Sequence, residues 1–265
     1  MDVTRQKSRS RTLKMLLGLL VSVVCLGGVF WSVESEGIFT TVKQLRWQYL
    51  VGAVLATALS YILRAARWPT FFKFSPPRFR DSYRCLILGF FMNNVLPARI
   101  GEIVRAHLGG RATHQSRTYV LATIAAERLV DGLTISLLFV VLFTFWATPS
   151  EHAHGEEVFL VAYLFGLATL LTALTLVLRR RLFNLLEKLG RIVPGHLSGY
   201  TLTRVRRFIE GLEPLFDFRR LVPITFWSIS VWVVELFVYW LVANAYGQNL
   251  SLGALGLFLA AVNFS

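Results

Sequence analysis

Charge is scarce in this sequence, and negative charge is scarcer still. Asp, Glu, Lys and Arg make up only 16% of the residues, against about 25% in an ordinary soluble domain. Cysteine is almost missing: Cys25 and Cys85 alone exclude a disulfide framework, and Cys25 lies in an apolar run where packing accounts for it. No Gly-x-x-x-x-Gly-Lys phosphate loop is present, which argues against ATP hydrolysis within the chain. There is no Gly-x-Ser-x-Gly elbow. The histidines lack zinc-type spacing with cysteine or acid, so no metal site and no cofactor is expected. No polar stretch is large enough to fold as a separate catalytic domain. These absences together predict a protein that is not an enzyme.

What remains is apolar and basic. The 265 residues are 55% hydrophobic, with 28 Lys+Arg against 15 Asp+Glu and a net charge of +13. Mean hydropathy is +0.56. A disordered chain needs low hydrophobicity, and a soluble nucleic-acid binder would not carry this much apolar sequence, so no nucleic-acid partner is expected. An apolar chain with a basic excess points to a polytopic membrane protein with Lys and Arg on the cytoplasmic side.

A hydrocarbon core about 30 Å thick needs roughly 20 apolar residues as a helix. Leu13 to Val33 meets that length after a basic start. It exceeds a signal-peptide apolar region and has no small-x-small cleavage site, so it reads as an uncleaved first span. Trp47 to Trp68 is a second, flanked by interfacial tryptophans. Cys85 to Pro97 is too short to cross and has basic residues on both sides, which predicts a re-entrant hairpin, with a surface helix as the alternative. Thr118 to Thr148, Val158 to Leu178 and Leu221 to Tyr246 are further spans, and another apolar run starts at Leu252. Residues 179–220 form an amphipathic segment of two helices split by Pro194-Gly195, expected at the cytoplasmic interface.

With the N-terminus inside, the loops at 34–46, 149–157 and 247–251 are outside and hold only Lys43 and Arg46. Every other basic residue except Arg128 is inside, provided 85–97 does not cross. The expectation is one integral membrane domain over 1–265, all-α, in the cell (inner) membrane. The last apolar run is short and lacks a basic or aromatic stop, so the C-terminus is expected to be truncated.

Ionisable groups at membrane depth are costly and are functional candidates by default. The richest cluster is Asn93-Asn94-Val95-Leu96-Pro97-Ala98-Arg99-Ile100-Gly101-Glu102-Ile103-Val104-Arg105. Pro97 and Gly101 break the helix, and a helix N-terminus there attracts anions. Arg99 and Arg105 add charges suited to phosphate, and Glu102, three residues from each, can hold one in place. Any one of these arginines could simply touch lipid phosphates from a loop; the whole cluster is harder to explain that way. In Glu127-Arg128-Leu129-Val130-Asp131 the two acids share a helix face. The set is either a self-neutralising structural network or the lining of a polar cavity shared with the first cluster. Arg64 and Arg67 stand one turn apart at the inner end of span two, where snorkelling explains them. Glu235 has no local partner in its span and must face another helix, a cavity or a proton path.

Asn-Asn-x-Leu-Pro-Ala-Arg-x-Gly-Glu-x-x-Arg at 93–105, Glu-Arg-x-x-Asp at 127–131 and Arg-x-x-Arg-Trp at 64–68 resemble the flippase-like membrane-domain family. That family includes the transmembrane region of lysylphosphatidylglycerol synthases and domains fused to polyprenyl-phosphate glycosyltransferases. The resemblance implies an inverted repeat with re-entrant helices, of which this chain would hold one half and a truncated second half. It also implies translocation of a lipid or lipid-linked headgroup between leaflets. Synthase members carry a soluble aminoacyl-transfer domain, so lysyl transfer is not carried over to this chain.

The expected function is a flippase or scramblase for an anionic phospholipid or a polyprenyl-phosphate lipid. Arg99, Arg105, Arg64, Arg67 and Arg128 would meet the headgroup. Asn93, Asn94, Glu102, Glu127, Asp131 and Glu235 would position them and keep the cavity polar. The alternative is a non-transporting module that anchors a membrane glycosyltransferase or lipid-modifying enzyme.

Overall fold

The computed structural model describes residues 42–95, 100–146 and 195–264, with residues 27, 148, 164 and 167. The expected spans Leu13 to Val33 and Val158 to Leu178, and the first half of the 179–220 segment, otherwise lie outside the described residues. The described elements are helical, as a chain in hydrocarbon requires when its backbone polar groups must be satisfied within each segment.

Helix α1 runs Trp47–Arg67 and continues into a 3-10 turn, Trp68–Phe71, with Pro69 at its start. Helix α2 is Phe79–Val95 and α3 is Gly101–Thr113. Helix α4, Arg117–Trp146, is the longest at 30 residues. Helix α5, Gly195–Leu212, leads through a second 3-10 turn, Glu213–Phe216, into α6, Phe218–Ala245, and α7 is Leu252–Phe264. Among the described residues, three segments are long and apolar enough to cross a membrane: Trp47–Phe71, Arg117–Trp146 and Phe218–Ala245. They coincide with the expected spans in this region to within a few residues. The chain is an all-helical membrane bundle. Helix α2 begins earlier than its apolar run, taking in Arg80, Asp81 and Arg84.

Helices α1 and α6 lie antiparallel. Leu241 packs on Ala53 and Ala56, Tyr49 meets Trp240 edge-on, and the Arg46 N–H donates to the Ala245 carbonyl at 3.0 Å. At the other end Arg220 Nη1 donates to the Phe72 carbonyl at 2.7 Å and Lys73 Nζ to Glu213 at 2.6 Å. Helix α7 returns along α4 and α6, with Leu259 and Ala260 against Ile135, Phe139 and Trp232. Near the Lys73 end, Trp68, Phe71, Phe72, Tyr119, Val120, Ile124, Leu215 and Ile224 form the largest core. Glycine sets the spacing there: a Cβ on Gly109 would lie 2.7 Å from the Trp68 ring.

The exposed face of α1 carries Val51, Val54, Leu55, Leu59 and Ile62, while Ser60, Arg64 and Arg67 are buried on the other. That polarity is inverted relative to a soluble helix, and it follows from lipid as the solvent: apolar side chains cost nothing outside, and charges must find partners inside.

Candidate functional site

Arg64 and Arg67 do not snorkel. Arg67 is fully buried and Arg64 is 6% exposed. The 3-10 turn extends α1 beyond them, so both lie inside the bundle rather than at its edge, and the acids of α4 and α6 provide closer partners than the interface does. Arg67 Nη1 contacts Asp131 Oδ1 at 2.5 Å, its Nη2 reaches Glu127 Oε1 at 2.8 Å and Asp131 Oδ2 at 3.1 Å, and Ser228 Oγ lies 3.1 Å from Nη1. A planar guanidinium can serve two carboxylates in this way, whereas an ammonium is a point charge. The four-residue spacing of Glu127 and Asp131 on α4 sets them one turn apart on the face toward α1.

Arg105 comes from the first sequence cluster. Its Nη2 meets Glu127 Oε2 at 2.6 Å. Among the described residues Arg105 Nε has no hydrogen-bond partner. The guanidinium lies 4.2 Å from the centroid of the Trp68 ring, whose face attracts a cation.

Glu235 finds its partners on α1. Its Oε1 accepts from Ser60 Oγ at 2.7 Å and from Arg64 Nη2 at 2.9 Å. Arg64 Nη1 is 3.9 Å from Asp131 Oδ2, so this arginine stands between two carboxylates. Trp232 Nε1 donates to Asp131 Oδ1 at 2.9 Å, and its ring lies 4.9 Å from the Arg64 guanidinium.

Arg128 and Glu102 form the open edge. Arg128 Nε is 3.3 Å from Glu102 Oε1, and their side chains are 40% and 34% exposed. Arg128 Nη1 also lies 3.8 Å from Asp131 Oδ2.

Asn93 and Gly101 sit where α2 meets α3. The Asn93 amide oxygen accepts from the Gly101 N–H at 2.7 Å, so the first turn of α3 already has a neutral acceptor. Gly101 approaches the α2 backbone at Gly89 so closely that a Cβ could not be placed, and such a Cβ would also lie 2.5 Å from Asn93 Oδ1. Asn94 is exposed at the end of α2. Pro97 and Arg99 lie outside the described residues.

The three sequence clusters therefore meet in one place. Arginines 64, 67, 105 and 128 face the acids Glu102, Glu127, Asp131 and Glu235, a set whose formal charges cancel. Ser60, Ser228 and Trp232 complete it and were not singled out in the sequence. Their signal was available: Ser228, Trp232 and Glu235 recur at four- and three-residue spacing on α6, and Ser60, Arg64 and Arg67 do so on α1, each a polar stripe on an apolar helix.

No curated protein and no solved structure matches the chain. A family model does, over residues 15–265, and its description is lysylphosphatidylglycerol synthase transmembrane region. With nearly the whole length matched, the chain belongs to the family of the lysylphosphatidylglycerol synthase transmembrane region, a multi-pass membrane domain.

Proposed function

We propose that this domain translocates an anionic lipid, a phospholipid or a polyprenyl-phosphate lipid, between the leaflets of the cell membrane, as a transporter rather than an enzyme. The observation that carries this reading is the open end of an otherwise sealed charge network. Arg67, Arg105, Glu127 and Asp131 are buried and mutually paired, while Arg128 is exposed, with the half-buried Glu102 at 3.3 Å and Asp131 Oδ2 farther off at 3.8 Å. A lipid phosphate replaces the Glu102 carboxylate on Arg128 with a bidentate contact. Arg105 and Arg67 stay paired with Glu127 and Asp131 behind it, and the lipid tails stay in the bilayer.

Helices α2 and α3 support the same reading. At 1.5 Å per residue, 17 and 13 residues extend about 26 Å and about 20 Å, short of a hydrocarbon core of about 30 Å. Paired at Gly89 and Gly101, they form a re-entrant hairpin that brings Arg105 and Glu102 to the network. The membrane potential supplies about 2.3 kcal/mol per charge per 100 mV to an anionic headgroup moving outward.

Reconstitution tests this. The full chain in liposomes containing fluorescent phosphatidylglycerol accelerates leaflet exchange, and R128A slows it about tenfold, equivalent to about 1.4 kcal/mol. No acceleration for any phosphatidylglycerol or polyprenyl-phosphate probe ends this reading. Co-purification with a membrane glycosyltransferase or lipid-modifying enzyme, without exchange activity, favours the anchoring module.

A further inference from the structure

The balance of charge in the network has a chemical consequence. Among the described residues its four arginines and four carboxylates cancel, so a phosphate entering this set adds an uncompensated negative charge in a medium that does not tolerate one. A proton taken up by one of the carboxylates removes that excess. The four acids are not equivalent in this respect. Glu127 lies between Arg67 and Arg105. Asp131 is held by Arg67 and the Trp232 indole. Glu102 is the group the phosphate displaces, and it lies at the exposed edge. Glu235 has one arginine, Arg64, and its side chain keeps 20% exposure.

Geometry links Glu235 to the anion site. Arg64 Nη1 and Arg128 Nη1 both lie near one atom, Asp131 Oδ2, at 3.9 Å and 3.8 Å, beside the Arg67 Nη2 that donates to it at 3.1 Å. While Glu235 is charged, Arg64 stays on it at 2.9 Å. When a solvent proton converts Glu235 to a neutral acid, Arg64 keeps only a neutral acceptor there, and the Asp131 charge draws it toward Oδ2. Arg128 then has less hold on Asp131 and is released toward the exposed side, where the phosphate binds. We infer that Glu235 is a proton-binding site coupled to anion binding at Arg128, with Asp131 Oδ2 as the shared contact, so that one proton enters the network with each anionic headgroup. The inference rests on the anion site proposed above. Coupling of this kind is reciprocal: the anion favours the proton as much as the proton favours the anion.

Among the described residues, the groups around Glu235 are few. Helix α1 brings Ser60 and Arg64, and α4 brings Asp131 beyond Arg64. Helix α6 itself carries Trp232 and Tyr239 one turn to either side, and α7 contributes no titratable residue in Leu252–Phe264.

The experiment uses the full chain in detergent, in weakly buffered solution, titrated with short-chain phosphatidylglycerol and, as a control, phosphatidylcholine. Phosphatidylglycerol binding takes up about one proton per chain, and its affinity falls about tenfold per pH unit once Glu235 is ionised. E235Q, a permanent neutral mimic, binds without proton uptake and independently of pH, while E235D keeps the uptake. S60A, which removes only a hydroxyl from Glu235, shifts the pH of half-uptake and serves should E235Q fail to fold. Binding by the wild-type chain without proton uptake overturns the coupling and leaves the anion site standing. Uptake that persists in E235Q, or a half-uptake pH unchanged in S60A, overturns the assignment to Glu235. No binding of phosphatidylglycerol at any pH overturns the anion site and the coupling with it.

Discussion

Arg67 is the residue on which most of the buried charge depends. It contacts both acids of α4 and is fully enclosed. Removing its guanidinium leaves Glu127 with Arg105 alone and strips Asp131 of its bidentate partner. Breaking a buried pair of this kind costs about 3–5 kcal/mol, because the surviving charge stays desolvated. R67A is therefore expected to lower the thermal unfolding midpoint in detergent sharply, and R67K to restore little of it, since an ammonium cannot reproduce the planar fork. E102Q provides the contrast. Its partner is exposed, so its effect on stability stays within about 1 kcal/mol, whatever it does to exchange. An R67A protein as stable as wild type would mean that the buried pairs carry no structural weight. Residue identity alone did not distinguish these cases. Arg67 and Arg128 are both arginines near acids in an apolar sequence, and only the packing of α4 against α1 decides which is sealed and which is open.

At the scale of elements, the α2–α3 crossing is the most demanding contact. Gly89 and Gly101 put backbone against backbone, and the Asn93 side chain closes the start of α3. G101A has no room for its methyl group against either neighbour, so α3 must move away from α2 and carry Arg105 off Glu127. The expected result is loss of phosphatidylglycerol exchange with a lowered unfolding midpoint, whereas G247A, at a glycine with open space around it but a φ of +72°, costs about 1 kcal/mol of backbone strain. Exchange and stability unchanged in G101A would show that the close approach is dispensable. Much of the element layout was legible in the sequence, because apolar length, basic stops and interfacial tryptophans are local signals. The positions of α1, α4 and α6 follow the apolar runs beginning at Trp47, Thr118 and Leu221 to within a few residues. The role of Gly101 was half legible: a helix break is written in the sequence, but a contact with Gly89 twelve residues earlier is a property of the hairpin. The partner of Glu235 was not legible either, since Ser60 and Arg64 lie about 170 residues away in the chain. The polar stripe on α6 announces that a partner exists without saying which helix holds it.

For the whole molecule, two kinds of evidence bear on orientation, and they are independent. One is charge: outside the membrane-embedded arginine network, basic residues crowd the loops assigned to the cytoplasm. The other is the grouping of helix ends. Arg46 bonds to Ala245 at one end of the bundle, and Lys73 with Glu213 and Arg220 with Phe72 mark the other. Charge assigns residues 72–84 and the 179–220 segment to one side and 34–46 and 247–251 to the opposite side, and the described helix ends group in that same way. Single cysteines in a C25S/C85S background convert this into a measurement. Gln248 and Glu213 are both exposed and lie at opposite ends of α6, so Q248C reacts with a membrane-impermeant maleimide added to intact cells, and E213C reacts only after the membrane is opened. The reverse pattern would keep the bundle but turn it over, placing the basic surface outside and removing the attraction between the arginine-rich α5 region and anionic lipids of the inner leaflet. Equal labelling of both positions in intact cells would be incompatible with α6 as a span. The expected pattern sets the Arg128–Glu102 edge toward the cytoplasmic half of the membrane, because α4 enters at Arg117 and reaches Arg128 after three turns. In the proposed transport an anionic headgroup would then meet its first arginine from the inner leaflet, and the membrane potential would act on the remainder of its path outward.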